Sequence, residues 1–372
     1  MSLDSPQRSL DDSEDDPGRG RSWEAGVEQR LLGEPASLRR RDIAADAEVS
    51  LASARKFWHA LGFPMAQDED VVFTQADLAA LRRAAGMVRD GSLDESTALA
   101  LTRAFARTAD RLAVWQTQLM GEALSPEDLA PPTEKDTRAI TDLSVAVRAT
   151  DRLMDIADEI EPLLVYAWRR HLAAAITRMR SDAAGAVDAS APERVVGFAD
   201  LVNFTSLVRR MSERQLSALV QQFERLASDV VVAHGGRVIK TVGDEVLFVH
   251  QLPGPAAAIA VDLVDAMAED AVLPDVRVGM SIGPVLSRLA DVFGVTVNRA
   301  SRLTSVTPPG QVYVDDHLAR RLASISGFDL SVTRRRNLRG IGFVTPSELT
   351  RAGFHRDGAR QPWTPSTGYQ GD

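Results

Sequence analysis

The sequence predicts an α+β protein: a sheet domain of β-α-β-β-α-β order behind an all-α half. Three observations predict it. Apolar residues recur at three and four until a point near Arg194, where the period changes, and from there short β-type runs alternate with helical ones. A third is length, since 372 residues suffice for two domains that each bury a core.

Residues 1–22 are polar and rich in Asp, Ser and Gly, which predicts a disordered tail. Residues 23–183 are dominated by Ala, Leu, Arg, Glu and Asp. The series Leu78, Leu81, Ala85, Val88 and then Leu153, Ile156, Ile160, Leu163, Leu164 predict helices with one apolar face. Pro131-Pro132 should break this half, with helix resuming after Thr133–Asp136, and Pro162 should mark a kink or a new first turn. Residues 184–193, small and acidic, read as a linker. Strands are then expected at Arg194–Ala199, Arg237–Val242, Glu245–His250, Val276–Ile282 and Gln311–Val314. Helices are expected at Ser212–Ala233, Pro255–Ala268, Val295–Val306 and His317–Ile325. That order is a ferredoxin-like core, an antiparallel sheet with helices on one face, occupying 194–350. Residues 351–372 read as a second tail.

Composition narrows the function. The chain has no cysteine, which excludes disulfides and thiolate metal sites. Its longest apolar stretch, around Ala256–Val264, is interrupted by Asp262 and Asp265, so no membrane span is expected. The first residues lack the apolar region of a secretory signal, and a cytoplasmic enzyme is the expectation. A net charge of −9 argues against nucleic acid as the main partner.

The chemistry is carried by three segments. Phe198-Ala199-Asp200-Leu201 runs from an apolar strand into a turn, leaving Asp200 at the strand end. Lys240-Thr241-Val242-Gly243-Asp244 places Gly243-Asp244 at a tight hairpin. In this fold the first strand and that hairpin are neighbours, so Asp200 and Asp244 can approach closely enough to share two divalent cations, as hard oxygen ligands. Singly, Asp200 also fits a helix N-cap and Asp244 a turn residue. The third segment, Asp291 to Arg302, holds Asn298 and Arg302 at i, i+4 on one helix face.

Together the three segments resemble the class III adenylate and guanylate cyclases in order and spacing. The resemblance implies that Asp200 and Asp244, with the Leu201 carbonyl as a further ligand, hold two Mg2+ or Mn2+ ions. It implies that Lys240 and Asp291 read adenine, that Asn298 orients the ribose, and that Arg302 stabilises charge on the α-phosphate. Relatives that use GTP generally carry Glu and a small residue in place of the Lys and Asp, so ATP is the implied substrate and cyclic AMP the product. The family's site forms between two catalytic domains; this chain has both residue sets, which implies a homodimer. Only Leu286–Ala290 separates Gly283-Pro284-Val285 from Asp291, so the dimer arm is short, as in the actinobacterial-type subgroup with an N-terminal helical regulatory domain. A cation for the terminal phosphates is expected among Arg335, Arg336 and Arg339.

In the N-terminal half, Asp42–Asp46, a turn near Val49-Ser50 and Leu51–Leu61 read as a helix-turn-helix, with Val71-Val72-Phe73 as a short wing. Residues 39–88 thus resemble the DNA-reading end of MerR-type regulators. Residues 36–90 carry eight basic and eight acidic side chains, without the basic footprint that DNA requires. A packing module used for regulation is expected instead, with a small regulatory ligand or proton sensing through His59 or His171 as its input. Arg138–Arg180 reads as long helices able to pair across a dimer. A non-catalytic nucleotide sensor, or a DNA-binding regulator with a cyclase-derived sensor, are the competing classes.

Overall fold

The computed structural model describes residues 26–63, 70–124, 143–185, 191–288 and 290–353. The expected break at Pro131-Pro132, the restart after Thr133–Asp136, the tail 1–22 and nearly all of the tail 351–372 lie outside the described residues. Two compact units are present, one up to Ala174 and one from Ala175.

In the first unit, α1 (Arg40–Asp46) and α2 (Leu51–Leu61) are joined by a short turn. The Ser50 hydroxyl caps α2, accepting from the Ser53 N–H at 3.0 Å, and Gly62 ends it at φ +88, a conformation only glycine adopts cheaply. Thr74 and Asp77 form a reciprocal capping box that starts α3 (Gln75–Arg89). Ile43, Ala44, Phe57, Trp58, Leu78 and Leu81 bury together as one core. The all-α expectation needs one correction: β1 (Leu38–Arg39) pairs antiparallel with β2 (Val71–Phe73), the segment read as a wing. Two long helices follow, α4 (Glu95–Leu124) and α5 (Leu143–Gly185). Pro162 lies inside α5 and starts no new helix. Among the described residues, no helix is long and apolar enough to cross a membrane.

The second unit is built on β3 (Glu193–Leu201), β4 (Arg237–Val242), β5 (Glu245–His250) and β6 (Val276–Pro284). Their spatial order, β6-β3-β5-β4, is antiparallel throughout and is that of a ferredoxin-like sheet. Successive residues of β3 face opposite sides. After the short helix α6 (Phe204–Val208), Val195, Ala199 and Leu201 of β3 bury against Phe223 of α7 (Glu213–Ala233) and Ile259 and Leu263 of α8 (Pro253–Glu269). Val196 and Phe198 bury on the other side with Ala300 of α9 (Val295–Val306). Helices therefore cover both faces, not one. β3, β5 and β6 are apolar on both sides and leave little face for water, whereas the edge strand β4 is half exposed.

The sheet also extends further than expected. β7 (Leu286–Arg288) and β8 (Asp291–Phe293) form the short arm as a hairpin of their own. β9 (Val312–Val314) joins β6 in parallel, so the whole sheet is mixed. After α10 (Asp316–Leu322), β10 (Phe328–Val332) and β13 (Ser347–Arg351) continue it, while β11 (Arg336–Leu338) and β12 (Gly342–Val344) make a separate hairpin.

A buried charge cluster fastens β13 to α8. Asp262, its side chain 5% exposed, meets His234 Nε2 at 2.7 Å and the Arg351 guanidinium, which also reaches Asp265 at 3.1 Å. Breaking a fully buried pair costs ~3–5 kcal/mol. Arg351 is half exposed and water can compensate it, so Asp262→Ala should cost about 2–3 kcal/mol. An unchanged denaturant midpoint would remove this cluster from the account of stability.

Candidate active site

β3 delivers Asp200 to the end of the sheet, where strand register sets it between Glu245 of β5 and Arg277 of β6. The Asp200 side chain caps no helix. It accepts from Arg277 Nε at 2.7 Å and Nη2 at 2.5 Å. Gly243, at φ +62, and Asp244 form the two-residue turn between β4 and β5. The Leu201 N–H donates to the Asp244 carbonyl at 2.9 Å, which ties that turn to the end of β3.

Three carboxylates thus crowd one corner. Burial pushes the Asp200 carboxyl up, Arg277 opposes this, and the charge of Asp244 raises it further. Burial likewise raises Glu245, with the charges of Asp200 and Asp244 adding to it. Half-buried carboxylates that repel one another favour a cation among them, and Arg277 supplies that charge here. Among the described residues no three His, Asp or Glu side chains converge into a complete metal-ligand set. The residues fit a divalent cation only as partial ligands, with the other oxygens coming from elsewhere; phosphates are oxygen donors of that kind. Arg277 and Glu245 escaped the sequence reading because strand register, not spacing, places them.

Lys240 and Asp291, 51 residues apart, are brought together across β4 and the arm: Nζ lies 2.7 Å from Oδ2. Lys240 holds the Asp291 carboxyl below the usual carboxylate range against burial, and the Val292 N–H, donating to Oδ1 at 2.8 Å, assists. One ammonium and one carboxylate side by side form a donor–acceptor pair that can read the edge of a heterocycle.

Asn298 and Arg302 share the exposed face of α9, and neither side chain has a hydrogen bond or ion pair among the described residues. They are not joined to the Asp200 corner. Between them Arg299 turns inward and pairs at 3.3 Å with Asp315, which is buried, accepts from Ser281 Oγ at 2.6 Å and caps α10. α9 also lies directly on the sheet. A Cβ on Gly279 would fall 2.2 Å from the backbone nitrogen of Thr304, so only glycine permits this approach. Of the three arginines expected near the terminal phosphates, Arg335 stacks over Phe343 at 4.4 Å. Arg336 and Arg339 are exposed on and just after β11, which packs beside α9.

The architecture is that of a nucleotidyl cyclase catalytic unit, and residues 189–349 match the adenylate and guanylate cyclase catalytic domain family. Similarity extends far beyond that unit. The chain is 41% identical over 347 residues to an adenylate cyclase of Glutamicibacter nicotianae, covering 90% of this chain and 84% of that protein. It is 38% identical over 359 residues to an adenylate cyclase of Streptomyces coelicolor, covering 89% and 90% respectively. This chain belongs to the class III adenylate and guanylate cyclase family. Among solved structures, the catalytic core of a rhodopsin-guanylyl cyclase with converted specificity aligns at a TM-score of 0.41 and 23% identity, over 44% of this chain and 97% of that one.

Proposed function

We infer that the chain is an adenylate cyclase, converting ATP to 3′,5′-cyclic AMP and pyrophosphate at a site completed by a second copy of itself. The observation that carries this is the division of the site. The Asp200–Asp244 corner stands at the end of β3, while Asn298 and Arg302 stand exposed on α9 without a side-chain partner among the described residues. In a symmetric dimer, one copy's Asp200–Asp244 corner faces the other copy's Lys240–Asp291 pair and α9, and two equivalent sites result.

In this reading Asp200 and Asp244, with the Leu201 carbonyl, hold two divalent cations, Mg2+ or Mn2+, and the triphosphate supplies further oxygens. When bound, the cations neutralise phosphate charge and favour an ionised 3′-oxygen. Lys240 donates to a ring nitrogen of adenine and Asp291 accepts from its exocyclic amine. Guanine would present a carbonyl to Asp291 and be repelled. Asn298 fixes the ribose so that the 3′-oxygen attacks the α-phosphorus in line, pyrophosphate leaves, and Arg302 stabilises the charge that develops. Arg336 or Arg339 grips the terminal phosphates. The N-terminal unit regulates the catalytic unit, and the lack of a basic surplus in residues 36–90 supports this over DNA binding.

The test is purified full-length protein with ATP or GTP plus Mn2+, with the cyclic product measured. Cyclic AMP should form, kcat/KM for GTP should be at least ~10²-fold lower, and excess chelator should abolish turnover. Equal use of GTP, or product formed in chelator, would contradict the reading.

A further inference from the structure

The first unit contains a cavity of about 350 Å3 between α2, β2 and residues 28–32. Trp58 and Phe73 wall it as a stacked pair, with ring centroids 4.9 Å apart and planes at 29°, and Leu32 and Phe63 add apolar surface. Such a wall takes the flat face of an aromatic group. The volume lies at the small end of the ~300–1,000 Å3 usual for ligand sites, which suits a ligand of one or two rings.

Polar groups on the lining indicate the ligand's charge. Arg55 and His59, one turn apart on α2, also line the cavity, and neither has an ion pair among the described residues. Most of the remaining charge is already committed. Asp77 accepts from the Thr74 N–H at 2.7 Å and the Thr74 hydroxyl at 2.9 Å, and Arg40 and Asp70 have partners of their own. Among the described residues, Glu28 is the one acid on the lining not so engaged.

We propose that this cavity is a binding site for a small planar organic anion. Its ring lies against the wall of Trp58 and Phe73, and its charge is met by Arg55 and His59. The site lies wholly within the first unit, and the proposal does not depend on the cyclase reading.

The test is calorimetric titration of the full chain with 1-naphthoate, its neutral isostere 1-naphthalenemethanol, and the cation 1-naphthylmethylamine. Naphthoate should bind saturably, and each isostere about tenfold more weakly. Arg55→Gln should raise the naphthoate Kd about tenfold and leave that of the neutral isostere unchanged. Phe73→Leu, which removes one ring of the wall, should weaken naphthoate and the neutral isostere alike, each severalfold. Arg55 is exposed and its replacement leaves the core intact, so that arm decides the matter should Phe73→Leu fail to fold. No saturable binding of naphthoate, equal or tighter binding of either isostere, or indifference to Arg55→Gln would overturn the proposal.

Discussion

Asp244→Ala is expected to lower cyclic AMP formation about 10³-fold with the fold intact. The several kcal/mol that a correctly held cation contributes to such a transition state set that magnitude. The backbone can tolerate the change. Gly243 carries the left-handed turn conformation, and the bond from the Leu201 N–H goes to the Asp244 main-chain carbonyl, which alanine retains. Stability should move the other way from activity. The Asp244 charge raises the carboxyls of Asp200 and Glu245. A carboxyl whose pKa rises on folding costs stability at any pH above that raised value, because the native state must hold a charge the unfolded chain holds more easily. Deleting Asp244 relieves both neighbours, so at neutral pH the variant should melt at or above the wild-type temperature. Lost activity together with a lower melting temperature would instead make Asp244 a structural turn residue.

Gly279→Ala is expected to lower kcat about 10²-fold through α9. The added Cβ meets the Thr304 backbone nitrogen at 2.2 Å and Thr304 Oγ1 at 2.5 Å. The first contact is with main chain, so trimming Thr304 cannot relieve it and the helix must move by about 1 Å or more. Asn298 and Arg302 ride on that helix, and a displacement of this size costs about 10²-fold where reacting atoms must align. Overpacking should also cost about 1–3 kcal/mol of stability. Lys240 and Asp291 sit on β4 and the arm, so KM for ATP should change far less than kcat. A rise in KM with kcat unchanged would mean that α9 does not carry the reacting groups. Thr304→Ala added to Gly279→Ala should give no rescue.

Much of this fold is legible in the sequence, because the second unit alternates strand and helix patterns cleanly. Starts and ends of β4, β5 and α9 follow from local signals: the Gly243-Asp244 turn, and Gly294 before an apolar period of three and four. The second helical face is not legible. Val195-Val196 and Val246-Leu247 are apolar at consecutive positions, which tells of two-sided burial but not of which helix covers which side. The C-terminal strands β10 to β13 are missed because they are short and half exposed, with weak alternation. Within the site, the approach of Lys240 to Asp291 across 51 residues comes from family resemblance and not from spacing. Arg277 and Arg299 are invisible for a related reason: each looks like a surface arginine until strand register sets one against Asp200 and helix depth sets the other on Asp315.

The central claim is a site that neither copy completes alone, and mixing two inactive variants tests it most directly. Asp200→Ala and Arg302→Ala should each be nearly inactive as pure dimers. Differently tagged and co-assembled in equal amounts, they pair at random, and half of the dimers are mixed, each with one intact site. Activity should return to about a quarter of wild type. Well-folded mixed dimers, isolated through both tags and still inactive, would contradict the shared site.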